Sequence, residues 1–163
     1  MPPGDSLPRW VCDQCGEIHY QNPRLIVGTI PEFEGKLLLC RRAIEPRYGY
    51  WTLPAGFMEN GESAGQAALR ETLEEAGAEV ELGTPFSMIS VPHVNQVHLF
   101  YLARVRDLGF KPGEESLEVA LVTEDKVPWK EIAFRTVATT LELWFADRRR
   151  GSFAFHAKDI IAG

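Results

Sequence analysis

The stretch Gly56–Ala78, GFMENGESAGQAALRETLEEAGA, decides how this chain is read. It opens as a loop punctuated by Gly56 and Gly61 and then becomes helical: Ser63 followed by Gln66 matches a capping box, and Gly77 supplies a stop after Ala76. At ~100° per residue, the predicted helix gathers Arg70, Glu71, Glu74 and Glu75 within an arc of roughly 140°. Gly65, Leu69, Thr72, Leu73 and Ala76 fall on the opposite side, which is expected to pack. Each like-charge pair that Glu71 makes with Glu74 and Glu75 costs roughly 0.2–0.5 kcal/mol on an exposed helix, and Arg70 offsets only part of it. Glutamates on a helix usually solvate an outer face. Here the preceding Gly56 lets the backbone bend so that a carbonyl oxygen points at a cation held by the helix acids, and oxygen ligands are what Mg²⁺ prefers.

Outward from this helix, Leu25–Ile30 and Lys36–Cys40 are short apolar runs that read as an antiparallel hairpin, with Pro31–Gly35 as the connection. Residues 51–56 form an extended segment leading into the glycine loop. Phe86–Val91, Val97–Val105 and Leu117–Val122 read as further strands, and Val137, Leu141, Trp144 and Phe145 recur at helical spacing within Thr136–Arg150. Strands interleaved with two helices, without regular βαβ alternation, predict an α/β fold with a mixed sheet covered by helices. Residues 1–22 are expected to be an irregular tail and residues 23–163 the main domain.

At 163 residues the chain suits one core, and 45% hydrophobic residues with a mean hydropathy of −0.16 give it enough apolar surface to fold while staying dissolved. No apolar run reaches the ~18–20 residues of a membrane helix, and the start MPPGDSLPRW lacks a signal pattern, so no membrane partner is expected. Three cysteines suit a reducing compartment, with cytoplasm as the default. A net charge of −6 disfavours coating of nucleic acid, which needs cationic neutralisation of phosphates. Phosphate substrates stay open where clustered acids hold a bridging divalent ion. Arg148–Arg150, at a helix end, complement the macrodipole.

The pattern Gly56, five residues, Glu62, seven residues, Arg70-Glu71-Thr72-Leu73-Glu74-Glu75-Ala76-Gly77 resembles the signature of the Nudix hydrolases, with Thr72 standing where an aliphatic residue is commoner. Tyr20–Pro23, Lys36–Arg42, Gly49–Phe57, Glu115–Glu118 and Phe153–His156 resemble the branch containing FAD and ADP-ribose pyrophosphatases. The resemblance implies a Nudix α/β/α sandwich, a homodimer, and divalent-cation-dependent (Mg²⁺ or Mn²⁺) hydrolysis of a small nucleotide substrate, ADP-ribose or FAD, releasing AMP. A non-catalytic nucleotide-binding regulator is the alternative. Carried over by position, Glu71, Glu74 and Glu75 are metal-facing carboxylates, the Gly56 carbonyl is a further ligand, and Glu62 and Arg70 brace the motif. The general base is Glu71, Glu115 or Glu118. Pro92 lies near where ADP-ribose-cleaving members often carry a proline, and no counterpart exists of the proline-rich run typical of NADH pyrophosphatases.

Trp51 and Phe57 are candidates to stack on adenine or isoalloxazine, against core packing for Trp51. His93 and His98 pair with no nucleophile in sequence and read as structural. Cys12-x-x-Cys15 resembles half of the zinc ribbon that precedes related catalytic domains. A closed Zn²⁺ site wants four ligands; His19 offers a third, Cys40 reads as a buried apolar residue, and a site shared between two chains stays open.

Overall fold

The computed structural model describes residues 1–162. In chain order the elements are β1 (Trp10–Val11), β2 (Ile18–His19), β3 (Arg24–Phe33), β4 (Lys36–Arg42), β5 (Trp51–Thr52), β6 (Ala55–Phe57), α1 (Ala64–Ala76), β7 (Val80–Val91), β8 (Gln96–Val105), β9 (Ser116–Val122), α2 (Arg135–Arg150) and β10 (His156–Asp159). β1 and β2 form a small separate hairpin. The others build one mixed sheet in the order β10-β7-β8-β3-β4-β5, with β6 also on β3 and β9 also on β4; β3/β8 and β7/β10 are parallel and the remaining pairs antiparallel. This is the α/β architecture with a helix-flanked mixed sheet that the sequence predicted.

The apolar run of β4 shows why the sheet is covered on both sides. Leu37 and Leu39 join the core built with Leu141, Trp144 and Phe145 of α2, whereas Leu38 and Cys40 join a second cluster with Ala76 of α1. Successive side chains point to opposite faces, so a strand buried on both reads as a continuous hydrophobic run. Each fully buried leucine contributes about 1.5–3 kcal/mol. α2 ends in a basic run that finds local partners: Arg148 donates to the Gly35 carbonyl, Arg149 pairs with Glu124 and Arg150 with Asp147.

The hairpin differs from the expectation at its turn. β3 continues through Pro31 to Phe33, and the connection is only Glu34–Gly35. Thr29 N–H donates to the Pro54 carbonyl, so the amide position two residues on, at Pro31, aims to the same side of the strand. There β3 lies between its pairing with β6, which ends at Gly28, and its pairing with β4, which begins at Glu32. Proline therefore costs no ladder bond. β3 and β4 pair only at Glu32↔Leu37 and Phe33↔Lys36 before they diverge. That split leaves room for a cavity at one end of the sheet.

β1, β2 and β10 were not expected. β10 has four residues, three of them exposed, and is anchored by buried Asp147, which accepts from Ala154 N–H at 2.9 Å and pairs with His156 Nε2 at 2.9 Å. Burial alone raises a carboxyl pKa, but here the Ala154 amide and His156 outweigh it and hold Asp147 below the usual range. Among the described residues no helix is long and apolar enough to cross a membrane.

Candidate active site

α1 begins and ends as its sequence predicts. Ser63 Oγ accepts from Gln66 N–H at 3.2 Å while Gln66 Oε1 accepts from Ser63 N–H at 2.8 Å, and Gly77, at φ 57°, donates its N–H to Leu73 O. The packing face is a correction. Leu69 and Leu73 are 38% and 53% exposed, and the buried residues are Ala67, Ala68, Thr72, Glu75 and Ala76. Small side chains let the helix lie close on β3, where Ala67 and Ala68 meet Val27, and Thr29 and Thr72 share a hydrogen bond of 2.6 Å between hydroxyls. Thr72 packs inward as expected. At ~100° per residue, Glu75 falls near the centre of this buried stripe and Glu71 within it.

The sheet split beneath that stripe holds a cavity of about 680 Å³, within the usual range for small-molecule sites. Gly56, Glu71, Glu74, Glu75 and Glu115 all line it, so the structure brings together the acids of the signature helix and one of the later candidates. Glu75 is only 7% exposed and accepts from Ala55 N–H at 3.1 Å. Among the described residues no lysine or arginine lies within 4 Å of its carboxylate. Burial, opposed by the Ala55 amide and the more distant charge of Arg42 and reinforced by the charges of Glu71 and Glu115, pushes its pKa up to about 8. Glu71 is likewise raised by burial, with Arg70 opposing. Gly56 presses against that acid: a Cβ there would stand 2.3 Å from the Glu71 carboxyl carbon.

Arg70 ties the loop to the helix. Its Nε and Nη2 donate to the two oxygens of Glu62 at 3.0 and 2.7 Å, Nη1 donates to Glu71 and Glu74 at 2.8 and 3.1 Å, and Nη2 also reaches Phe57 O at 3.1 Å. This fork, with the Glu59 amide, holds Glu62 at a pKa of about 2. Glu74, by contrast with Glu75, leaves its side chain 58% exposed.

Two candidates are not brought to the cavity. Glu118 stands at 4.0 Å from Arg41 with its side chain half exposed, outside the lining. Trp51 packs against the α2-side core, and its carbonyl accepts from Ala133 N–H, so core packing is its role. Phe57 does line the cavity, with the Arg24 guanidinium 5.5 Å from its ring centre. The lining also includes Arg42, Gln96 and His98, which the sequence reading did not place there. Arg42 was within reach, since it continues the alternation of Leu38 and Cys40 toward α1. Gln96 and His98 enter through the parallel register Arg24↔Gln96 and Ile26↔His98, which no local pattern announces.

At the N-terminus, Cys12 and Cys15 sit in the tight turn between β1 and β2, where Gly16 N–H donates to Cys12 O and Cys12 N–H to Glu17 O. Backbone N–H groups of Cys15 and Gln14 hold the Cys12 thiol below its ordinary pKa. No third ligand joins them: among the described residues no group of three or more His, Cys, Asp or Glu side chains is closed enough to hold a metal ion, His19 included. The same holds for the acids of α1, where Arg70 draws the carboxylates of Glu62, Glu71 and Glu74 to itself and keeps three from converging on one point.

The NUDIX domain family model matches residues 22–141, well over half of the chain. The chain belongs to the Nudix family. A second model, the Nudix N-terminal zinc-ribbon segment, matches residues 1–21. The crystal structure of a NUDIX hydrolase from Nitrosomonas europaea is similar at 52% identity and a TM-score of 0.96, covering 99% of this chain and 92% of that one. An ADP-ribose pyrophosphatase from Methanocaldococcus jannaschii is 29% identical over 113 residues, 67% of either chain. The NAD-capped RNA hydrolase NudC of Photobacterium profundum is 31% identical over 115 residues, 68% of this chain and 41% of its own length. The chain thus spans two thirds or less of the length of several of its curated relatives. The two family models together span residues 1–141, and the similarity to the Nitrosomonas europaea structure extends over 99% of the chain.

Proposed function

We propose that this chain hydrolyses the diphosphate bond of a nucleoside diphosphate derivative, ADP-ribose or FAD, releasing AMP together with ribose 5-phosphate or FMN. One observation carries the reading: Glu75, a buried acid with no cation in ion-pair contact, opens with Glu71 onto a nucleotide-sized cavity. A buried charge is costly unless paired, and an all-oxygen donor set suits a hard divalent cation. Glu71, Glu75 and the Gly56 carbonyl would hold it, and Glu74, paired with Arg70, would join them by turning from that guanidinium. Mg²⁺ or Mn²⁺ bound there supplies a more acidic water and neutralises charge on the diphosphate oxygens.

The chain's own groups do the rest. Arg70 and Glu62 fix the loop and helix so that the acids keep their spacing. Arg42, facing the cavity with its Nε held by Pro46 O, offers its remaining N–H groups to a phosphate oxygen. When water attacks phosphorus, its proton passes to a carboxylate oxygen of Glu71 or Glu115, and the departing phosphate carries away the electrons of the broken P–O bond. Glu118 stands outside the cavity and takes no part in this scheme.

A catalytic domain over residues 23–163 with an appended N-terminal half-knuckle, homodimeric assembly and a cytoplasmic location belong to the same proposal, on family resemblance and cysteine usage. Zinc does not fit this chain alone, since the knuckle offers two of the four ligands a closed site needs.

The test is a product screen with Mg²⁺ and Mn²⁺ over ADP-ribose, FAD, NADH, diadenosine polyphosphates, nucleoside triphosphates and an NAD-capped RNA. AMP from ADP-ribose or FAD is expected. Glu75→Gln should lower kcat about a hundredfold with the fold intact, because it keeps the side chain's size and removes the anion. No hydrolysis across the panel would favour the non-catalytic regulator instead.

A further inference from the structure

The cavity wall away from the α1 acids carries a hydrogen-bonded row that the hydrolytic scheme does not use. His98 is buried, and both its ring nitrogens are engaged: Nδ1 lies 2.9 Å from Thr136 Oγ1 and Nε2 lies 3.0 Å from Gln96 Oε1. An amide oxygen can only accept, so Nε2 carries the ring proton, Nδ1 accepts, and the Thr136 hydroxyl donates. Burial supports the neutral imidazole by lowering the His98 pKa to about 4. Half-buried Gln96 turns its amide oxygen to His98 and its nitrogen away, and among the described residues that nitrogen donates to no protein acceptor and stays open to solvent. Its two N–H donors are left to whatever enters the cavity.

The neighbours define what that is. Paired residues share a face of the sheet, so the register places Phe57, Ile26 and His98 in one row across β6, β3 and β8, with Arg24 and Gln96 in the next. Phe57 and Ile26 offer apolar surface beside the amide, and Phe100 lines the same cavity. Apolar faces flanking one fixed donor suit a flat, uncharged heterocycle with an acceptor at its edge.

Resting on the proposed nucleotide substrate, we infer that this face seats the substrate's planar ring, with Gln96 donating to a carbonyl oxygen or ring nitrogen at its edge. His98 and Thr136 are positioning residues that hold the amide in its donor orientation. Gln96 is then a specificity-determining residue, since a ring that presents only a donor at this edge leaves two N–H donors facing each other and is rejected.

Steady-state kinetics on the best substrate of the product screen test this with Gln96→Met, which keeps length and removes the donors. KM should rise about tenfold with kcat within about threefold, the pattern of a lost ground-state contact. Thr136→Val should raise KM a fewfold and Thr136→Ser restore it, while Thr136→Val added to Gln96→Met should cause no further rise. Gln96→Asn, which keeps the amide but withdraws it, should behave as Gln96→Met does and guards against a folding defect. Unchanged KM in both Gln96 variants would overturn the ring seat. Additive effects of Thr136→Val and Gln96→Met would overturn the relay. Should wild-type protein hydrolyse nothing, the hydrolytic reading fails separately, and the seat is read by calorimetry with AMP as probe: about tenfold weaker binding to Gln96→Met supports it and equal binding overturns it.

Discussion

Glu74 and Glu75 are adjacent in sequence, yet their side chains live in different solvents. Glu75 is buried under the helix with only the Ala55 amide as donor, and Glu74 is largely exposed and shares Arg70 with two other acids. A cation entering the cavity displaces the proton that burial favours on Glu75 and stabilises the carboxylate there, whereas at Glu74 it competes with water and a guanidinium. Gly56 tests the same geometry from the backbone side. A methyl group there would meet the Glu71 carboxylate at 2.3 Å, so Gly56→Ala should displace that acid and lower kcat/KM about a hundredfold, in a kinetic assay with thermal midpoint as control. Unchanged turnover would mean that Glu71 need not stand where it does. His98 gives a pH prediction. Its folded pKa of about 4 lies below the ordinary 6.5, so between these values the unfolded chain binds a proton that the folded chain refuses. His98 therefore costs nothing above pH 6.5, and stability falls as pH drops through that window, by on the order of 2 kcal/mol between about pH 7 and about pH 5. Denaturant melts at the two pH values should show a smaller fall for His98→Gln than for wild type; equal falls would contradict the buried neutral ring.

At the scale of elements, α1 works because its inner stripe is small. Alanines and a threonine bring the helix onto β3, and the Thr29–Thr72 hydroxyl pair locks the contact, with Thr72 donating onward to Ala68 O at 2.7 Å. Thr72→Val keeps the shape but leaves the Thr29 hydroxyl buried without that partner, so it should destabilise by about 1–3 kcal/mol, while Thr72→Ser should cost less; equilibrium unfolding distinguishes them. The ends of α1 were legible in sequence because capping is local chemistry among Ser63, Gln66 and Gly77. Its buried face was not, because a helical wheel weighs Leu69 and Leu73 by hydrophobicity, whereas the fit to β3 is decided by side-chain size. The extent of β3 past Pro31 depended on where β4 and β6 leave it unpaired, and β10 has too few buried residues to show a period. The acids of the signature were legible from spacing, whereas Gln96 and His98 reach the site through a register between strands far apart in sequence.

For the molecule as a whole, the decisive feature is the divergence of β3 from β4. It opens one end of the sheet beside strands whose centre is buried on both faces, and α1 closes the opening with carboxylates rather than with apolar side chains. A net charge of −6 makes such a site costly to leave uncompensated and favours divalent cations over anions until a metal is bound. On the proposed reading, Arg42 takes the phosphate and the Gln96 row the ring. Whether the buried acid of α1 is a cation ligand is read by titrating metal-free wild type and Glu75→Gln with Mn²⁺, following free Mn²⁺ by electron paramagnetic resonance, with thermal midpoints as a control on folding. Saturable binding to wild type and at least about tenfold weaker binding to Glu75→Gln are expected; identical isotherms, or no binding to either, would mean that Glu75 holds no cation.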